Sequence, residues 1–185
     1  NGSVNAEVAE FVSSYDCKTQ CLPGKEILSC QRLELEEDLG FVGSITKVDT
    51  APIQDALENG LMPIISSTAS DETGQCYNVN ADTVAAEVAI SLGARRLVYL
   101  SDVPGLLRNP QDSNSLLSSL PVDQVDSLKN EGVIAKGMLP KVNSAVDALN
   151  SGVNRVHFID GRLPHSILLE IFTDEGIGTE IVHAT

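Results

Sequence analysis

The sequence predicts an α/β fold in three layers, with an open, mainly parallel sheet between helices and a β-hairpin elaboration near the start. Two observations lead to this prediction. From about Asp82 onward, short apolar runs typical of buried strands alternate with helical segments, as they do around parallel sheets. Upstream, two strand-like runs are separated by acidic residues and the turn-prone Asp38–Gly40, which indicates a hairpin.

The first half of the chain opens with a predicted helix over Val4–Ser13, where apolar residues recur at helical spacing. The two hairpin strands are predicted over Ile27–Leu35 and Phe41–Val48. The remaining elements of this half are a helix capped by Thr50 with Pro52 in its first turn and Gly60 as its stop signal, a strand over Leu61–Ser66, a turn over Asp71–Gly74 and a returning strand over Gln75–Val79.

The second half of the chain alternates more regularly. The predicted helices are Asp82–Leu92, Val122–Asn130, Met138–Asn150 and Leu163–Phe172, the first three being stopped by Gly93, Gly132 and Gly152. The predicted strands are Arg96–Leu100, Arg155–Ile159 and Gly178–Val182. Neither a linker nor an internal repeat interrupts the 185 residues, so we predict one domain over 1–185.

The charge balance excludes several classes of partner. Twelve Lys and Arg against twenty-six Asp and Glu give a net charge of −14, which is unsuited to binding a phosphate backbone. Trp is absent and aromatic residues make up 4% of the chain, so base-stacking surfaces are not expected either. No apolar run approaches the roughly 18 residues of a membrane span, and no signal peptide is recognisable. We therefore expect a soluble, cytoplasmic protein without nucleic-acid or membrane partners.

The cysteines and histidines do not have metal-ligand spacing. Cys17, Cys21, Cys30 and Cys76 include no CxxC pair, and all three histidines lie far downstream of them. In a cytoplasmic protein such cysteines are reduced thiols. We expect them to have structural roles and no protein-held metal site.

The first segment that could carry chemistry is Tyr77–Asp82. If it is extended, Asn78, Asn80 and Asp82 point to one side, where two amides and a carboxylate can bind a polar ligand at the carboxyl end of a strand. Alternatively, Asp82 caps the helix that it precedes and the asparagines serve a turn. Spacing alone leaves both interpretations open.

A second segment, Ser101–Leu107, follows a predicted strand and contains Asp102 and a Pro-Gly turn. Such a loop exposes backbone amides beside a carboxylate and can hold part of a nucleotide, although Pro-Gly also occurs in ordinary βα turns.

A third segment, Gly132–Lys141, places Lys141 near the amino end of a helix, behind Pro140. The helix dipole disfavours a cation there unless an anion lies between them, so this arrangement indicates an anion site. A solvated lysine that tolerates a small repulsion is the alternative.

Together these segments resemble the amino acid kinase family, and within it the acetylglutamate kinases. The Asp38–Gly43 hairpin and the Ile159–Arg162 segment favour this group over the uridylate, aspartate and carbamate kinases. The matching stretches, in the order of the family, are Asp38–Gly43, Met62–Ile65, Tyr77–Asp82, Ser101–Gly105, Gly137–Lys141, Ile159–Arg162 and Glu175–Thr179.

The resemblance implies transfer of the ATP γ-phosphoryl group to the side-chain carboxylate of N-acetyl-L-glutamate, with Mg²⁺ bound through the ATP phosphates. It implies that Asn78 binds acetylglutamate, that Asp82 organises the catalytic lysines, and that Lys141 stabilises charge on the transferred group. Such roles agree with the general physics of phosphoryl transfer, which depends on positioning and on cationic stabilisation. The residues implied to line the ATP site are Asp102, Val103, Pro104, Gly105, Leu106, Leu107, Val133, Ile134 and Ala135.

Members of the family begin with a strand bearing a second catalytic lysine and with glycine-rich loops, for which this chain has no matching segment. We therefore expect the chain to be an N-terminally incomplete kinase, with residues 1–80 belonging to the substrate-binding half and residues 81–185 forming the nucleotide-binding half. Alone, it is expected to bind nucleotide weakly and to be inactive.

The end of the chain resembles the arginine inhibitor site of feedback-regulated relatives, through His165, Glu170, Glu175 and Gly178. Alternatively, Glu170 and Glu175 belong to a solvated helix end and His165 is a surface residue. The resemblance also implies a homo-oligomer and, in some relatives, association with a PII signalling protein.

Two other functions stay open at this point. The chain could belong to an amino acid kinase that acts on a different carboxylate acceptor. It could also be a non-catalytic regulatory domain that binds a nucleotide or arginine.

Overall fold

The computed structural model describes residues 2–34, 39–134, 136–173 and 175–184. The chain forms two compact units, Asn1–Ser91 and Leu92–Thr185. The predicted division into functional halves at residues 80 and 81 stays a prediction. Within the described ranges, no helix combines the length and the apolar character needed to cross a membrane.

In its described residues, the first unit combines four helices with six strands in two sheets. Strands β1 and β4 form a parallel pair, and the other four strands form a mixed sheet in the order β3-β2-β5-β6. The elements are α1 (Gly2–Ser13), β1 (Thr19–Leu22), α2 (Gly24–Ile27), β2 (Leu28–Arg32), β3 (Gly43–Val48), α3 (Ala51–Glu58), β4 (Met62–Ile65), β5 (Thr68–Ser70), β6 (Cys76–Asn78) and α4 (Ala81–Ser91).

The predicted hairpin is present as the antiparallel pair β2–β3. Leu28 pairs with Val48 at its open end and Arg32 with Gly43 at the other, with a register shift after Ser29. A Cβ atom on Gly43 would lie 3.0 Å from Cys30 Sγ, so a larger residue would force this buried contact apart. The predicted turn residue Asp38 lies outside the described residues.

The second unit contains one four-stranded sheet in the order β7-β9-β10-β8. The pairs β7–β9 and β8–β10 are parallel, whereas β9 and β10 are antiparallel. The elements are β7 (Arg96–Ser101), β8 (Ser119–Pro121), α5 (Val125–Asn130), α6 (Leu139–Asn150), β9 (Arg155–Asp160), α7 (Ser166–Phe172) and β10 (Thr179–Val182).

The α/β class is confirmed, and the sheets prove to be mixed. Three of the seven strand pairs in the described residues are antiparallel. An apolar pattern reports burial but not strand direction, so the sequence could not reveal this proportion. The short strands β1, β5 and β8, of three or four residues each, were not predicted either.

The predicted carboxyl ends of the helices agree with the structure to within two residues, but α5 and α7 begin at Val125 and Ser166, three residues later than predicted. One predicted cap was also wrong. Thr50 is itself in a helical conformation and its side chain makes no cap hydrogen bond, so the predicted role of Thr50 was wrong. Asp49 Oδ1 instead accepts from the Ala51 N–H at 3.1 Å. The stop glycines Gly60, Gly93, Gly132 and Gly152 all have φ between +61° and +105°, as helix C-termini require.

The core of the second unit lies between β9 and α6. Val156, Phe158 and Ile159 of β9 are fully buried, and so are Val142 and Ala145 of α6. Burying a Val, Ile or Phe side chain contributes roughly 1.5–3 kcal/mol. This packing sets the height and rotation of α6 above the sheet, and with them the place of Lys141.

Candidate active site

The loops that follow β7 and β9 start side by side. The two strands are parallel, and Ser101 at the end of β7 pairs with Asp160 at the end of β9. The Gly161 N–H donates to the Ser101 carbonyl oxygen at 2.9 Å. The carboxyl ends of neighbouring parallel strands are where ligands bind in α/β sheets. The segments predicted from Ser101 and from Ile159 therefore meet at such an edge.

The loop after β7 is anchored to β10 by Thr179. The Leu106 N–H donates to Thr179 Oγ1 at 2.8 Å, in a contact between residues that are far apart in sequence. Gly105 has φ +148°, and a Cβ atom there would lie 2.6 Å from the same oxygen. Only glycine allows this close approach in that conformation. Thr179 was missed by the sequence reasoning, because nothing local connects it to this loop.

The predicted ATP-binding residues of this loop fall into two groups that differ in burial. Gly105 and Leu106 are buried, so they shape the loop from within, while Asp102 is exposed and Val103 and Pro104 are half-buried. Leu107 is half-buried and bridges to Leu116. The outer part of the loop is thus the part that can contact a ligand.

The segment before α6, which is predicted to line the ATP site, is largely buried. Ile134 is 5% exposed, and the half-buried Val133 donates its N–H to the Leu128 carbonyl oxygen at 3.0 Å. The third residue predicted here for ATP binding, Ala135, lies outside the described residues.

The loop after β9 is held by an ion pair within a single turn. Arg162 Nε and Nη2 donate to the two carboxylate oxygens of Asp160 at 2.9 and 2.8 Å, and the Arg162 N–H adds a third bond. These bonds from Arg162 lower the pKa of Asp160 to about 2. The Arg162 side chain is 67% exposed, so its guanidinium stays accessible beside Asp102.

Lys141 lies in the first turn of α6, one residue after Pro140, as predicted. Its side chain is half-buried, and its ammonium nitrogen lies 5.8 Å from the centroid of the Tyr99 ring. Tyr99 is only 4% exposed and precedes the loop that carries Asp102. The predicted cation therefore lies over Tyr99, in the middle of β7.

In the first unit, Asn78 and Asn80 occupy one face of an extended segment, as predicted, whereas Asp82, predicted on the same face, lies in helix α4. Both asparagines are exposed, whereas the alternating Tyr77 and Val79 are 8% and 2% exposed. Asn80 Oδ1 accepts from the N–H groups of Asp82 and Thr83 at 2.9 and 3.1 Å. The cap of α4 is thus supplied by Asn80. The alternative interpretation was wrong in assigning the cap to Asp82, which lies half-buried within the first turn, but its local structural role for the asparagines is confirmed at Asn80.

A polar cavity of about 300 Å³ lies in the second unit, beside α7 and β10. Two of the residues predicted for an arginine effector, Glu170 and Glu175, are among its lining residues. The charged or titratable side chains that line it are Arg96, Arg155, His157, Glu170, Glu175 and Glu180.

Glu170 ties this cavity to the loop before β10. Its Oε1 is 2.8 Å from His157 Nδ1, and its Oε2 accepts from the N–H groups of Ile177 and Gly178 at 2.8 and 2.9 Å. Burial raises the pKa of Glu170, but these hydrogen bonds outweigh burial and the net shift is downward. Glu170 is 8% exposed, so the alternative in which it belongs to a solvated helix end was wrong.

The other two predicted effector residues lie at the edges of this region. His165 is exposed, has φ +61° and precedes α7 without a side-chain cap bond. Gly178 is buried against the Phe158 carbonyl, where a Cβ atom would clash. The structure adds His157, whose buried Nε2 has no hydrogen-bond partner among the described residues.

The thiols and acidic residues show no metal site. All four cysteines are free thiols, and only Cys30 is buried. Across the described part of the chain, no group of three or more His, Cys, Asp or Glu side chains is arranged to hold a metal ion.

Comparison with known families gives a match over most of the chain. The model of the amino acid kinase family matches residues 2–160. The chain belongs to the amino acid kinase family. This membership accounts for the order in which the loops after β7, before α6 and after β9 occur.

Curated relatives of this amino acid kinase include acetylglutamate kinases from many bacteria. That of Syntrophomonas wolfei subsp. wolfei is 47% identical over 184 residues, which is 98% of this chain and 64% of the relative. That of Thermosynechococcus vestitus is 45% identical over 182 residues, or 98% of this chain and 62% of the relative. The chain thus spans a little under two thirds of the length of these relatives.

Solved structures show the same fold. An N-acetylglutamate synthase from Neisseria gonorrhoeae, complexed with coenzyme A and L-arginine, is 31% identical with a TM-score of 0.80, over 90% of this chain and 38% of that chain. An isopentenyl phosphate kinase is 19% identical with a TM-score of 0.71, over 97% of this chain and 66% of that chain, and supports the fold alone.

Proposed function

We propose that this chain is part of an acetylglutamate kinase, which transfers the γ-phosphoryl group of ATP to the side-chain carboxylate of N-acetyl-L-glutamate in cytoplasmic arginine biosynthesis. The observation that carries the proposal is the 41–47% identity to curated acetylglutamate kinases over nearly the whole chain. The anchored loop after β7 and the placement of Lys141 support it physically.

The second unit would bind ATP along the edge formed by the loop after β7 and the segment before α6. Gly105 and Leu106, fixed by Thr179, preorganise the loop, and Asp102 to Pro104 present it to the nucleotide. Mg²⁺, arriving with ATP, would add positive charge between the phosphate oxygens. Lys141 would stabilise the charge that spreads over the transferred phosphoryl group.

The first unit would bind the acceptor. Asn78 ends β6 with an exposed side chain whose amide can donate to and accept from acetylglutamate. Asp82 lies in the first turn of α4, and its carboxylate would organise the catalytic lysines, as the resemblance implies. The acetylglutamate carboxylate would attack the γ-phosphorus directly while the bond to the bridging oxygen breaks and ADP leaves, so no protein nucleophile is required.

The test compares two proteins. One is the 185-residue chain, and the other is a fused chain in which the N-terminal strand and glycine-rich loops of the Syntrophomonas wolfei relative precede Asn1. Hydroxylamine trapping of the acyl phosphate measures turnover with acetylglutamate, glutamate and aspartate. We expect turnover by the fused chain with acetylglutamate and negligible turnover by the 185-residue chain.

Other outcomes of this assay favour the alternatives. Turnover with a different acceptor would identify another amino acid kinase activity. Binding of ATP or arginine by both proteins with no turnover would identify a regulatory domain.

A second proposal is that arginine binds in the cavity beside α7 and inhibits the enzyme. The cavity carries both carboxylates and guanidinium groups, which suits a zwitterionic amino acid with a cationic side chain. Glu175 is exposed, whereas Glu170 already accepts three hydrogen bonds and would act by shaping the wall.

Calorimetry tests the arginine proposal on the 185-residue chain. We expect L-arginine to bind, its neutral analogue L-citrulline not to bind, and Glu175→Gln to weaken arginine binding about tenfold, as for loss of one charge-assisted hydrogen bond. Equal binding of arginine and citrulline would contradict a carboxylate–guanidinium contact.

The proposal includes assembly into a homo-oligomer and association with a PII signalling protein, both implied by the resemblance. Light scattering of the fused chain, and its co-elution with a purified PII protein, test these two points separately.

A further inference from the structure

Tyr99 is a buried aromatic residue whose ring contacts both Phe158 and the Lys141 ammonium. It lies in the middle of β7, is 4% exposed, and stacks on Phe158 at a centroid distance of 5.2 Å and an interplanar angle of 11°. Tyr99 and Phe158 are also register partners in the parallel pair β7–β9. The plane of the Tyr99 ring is therefore fixed by the strand pair and by the fully buried ring of Phe158.

The ammonium of Lys141 lies over this fixed ring. The distance of 5.8 Å from Lys141 Nζ to the ring centroid is within the range of about 6 Å for attraction between a cation and an aromatic face. The backbone of Lys141 is also fixed, because Val142 and Ala145 of the same helix are fully buried. The flexible four-carbon side chain connects this fixed backbone to the ammonium.

The helix dipole makes such a contact useful. Lys141 lies in the first turn of α6, where the partial positive charge of the helix terminus repels a cation. A ring face is electron-rich, and it offsets this repulsion without neutralising the charge. The ring thus favours a fixed position of the ammonium over β7 and leaves its positive charge intact.

We propose that Tyr99 is a positioning residue, whose ring holds the Lys141 ammonium in place through a cation–π contact. This inference rests on the proposed role of Lys141 in phosphoryl transfer. Because Tyr99 acts through Lys141 and not on the acceptor, its loss lowers kcat and leaves the KM for acetylglutamate unchanged.

The first experiment tests the contact itself, independently of any kinase activity. The ring current of Tyr99 shifts the Lys141 ε-methylene protons upfield in the NMR spectrum of the 185-residue chain, and their signal is assigned by its loss in Lys141→Met. We expect the shift in the parent and in Tyr99→Phe, and its loss in Tyr99→Leu. An unchanged signal in Tyr99→Leu overturns the proposal.

Tyr99→Met is the second apolar variant, since its flexible side chain fills the space if Tyr99→Leu fails to fold. The same upfield shift of the Lys141 ε-methylene protons is measured in this variant. A retained upfield shift in folded Tyr99→Met overturns the contact, and a lost shift supports it.

The second experiment tests positioning in the fused chain. We expect Tyr99→Leu to lower kcat about two- to fivefold, the size of a partly exposed cation–π contact, and Tyr99→Phe to retain the parent kcat. In a Lys141→Ala background, Tyr99→Leu should cause no further loss. An equal loss in both backgrounds would show a structural role and overturn the proposal. If the parent has no turnover, the proposed function fails while the NMR result still decides the contact.

Discussion

At the residue scale, the proposed chemistry depends on a few charges whose surroundings are set by unrelated parts of the chain. Lys141 is placed by α6 and Tyr99, and Arg162 by Asp160 in the same turn. Sequence reasoning identified Lys141 from its position behind Pro140. It could not identify Tyr99, because an aromatic residue in a strand is ordinarily interpreted as core.

Replacing Lys141 tests the main electrostatic contact. In the fused chain, Lys141→Ala should lower kcat by about 10²–10³, the effect of removing one preorganised donor from a transition state. The matched control is Lys129→Ala, which removes a lysine of the same unit that pairs with the exposed Asp126. Steady-state kinetics measure both variants, and a near-parental kcat in Lys141→Ala would exclude it from the mechanism.

Replacing Arg162 tests the ion pair after β9. Its bonds lower the pKa of Asp160 from 3.8 to about 2, so the stability from ionised Asp160 is present above pH 3.8 and is lost as the pH falls toward 2. Arg162→Met should raise the pKa of Asp160 toward 3.8, as followed by carboxyl NMR titration. The free energy of unfolding should then fall less steeply between pH 3.8 and pH 2. Arg155→Met, which breaks the pair with Glu180, is the control. A pKa of Asp160 that stays at about 2 in Arg162→Met would show that Arg162 is not the cause of the low value.

At the element scale, β10 supports the loop after β7. Its first residue, Thr179, is fully buried and accepts the Leu106 N–H, while the neighbouring Gly178 is bonded to Glu170 of α7. The start of one strand thus connects the predicted nucleotide loop with the wall of the polar cavity. The sequence predicted β10 as a strand but not this connection.

The Thr179 hydroxyl can be removed with little change of shape. Thr179→Val leaves the buried Leu106 N–H without an acceptor, so the free energy of unfolding should fall by about 1–3 kcal/mol. Nucleotide affinity should fall with it, because the loop loses its anchor. Thr179→Ser keeps the hydroxyl and should retain affinity. Urea denaturation and ATP titration measure the two effects, and equal affinities for Val and Ser variants would argue against the anchor.

At the scale of the whole molecule, a net charge of −14 repels polyanions, so the proposed binding of ATP depends on local groups that contact the phosphates. Lys141, Arg162 and the backbone N–H groups of the loops after β7 and β9 can provide these contacts. Nucleotide binding should then stabilise the folded state, because only the folded chain assembles them.

Thermal unfolding tests this coupling. A ligand at 100 times its Kd stabilises the folded state by about 2.7 kcal/mol, so millimolar MgATP should raise the Tm of the 185-residue chain. Acetylglutamate alone should raise it less, and Mg²⁺ alone serves as the control. An unchanged Tm over a millimolar range of MgATP would contradict nucleotide binding by this chain.

The sequence alone determined the α/β class, most helices, the hairpin and the order of the family motifs, since periodicity, proline and glycine act over a few neighbouring residues. The alternation of Asn78 and Asn80 with buried neighbours was predictable for the same reason. Tertiary structure decided the direction of β10, the anchoring of Leu106 by Thr179 and the burial of Glu170 against His157. Each of these depends on residues distant in sequence, whose contacts exist only once the sheet has formed.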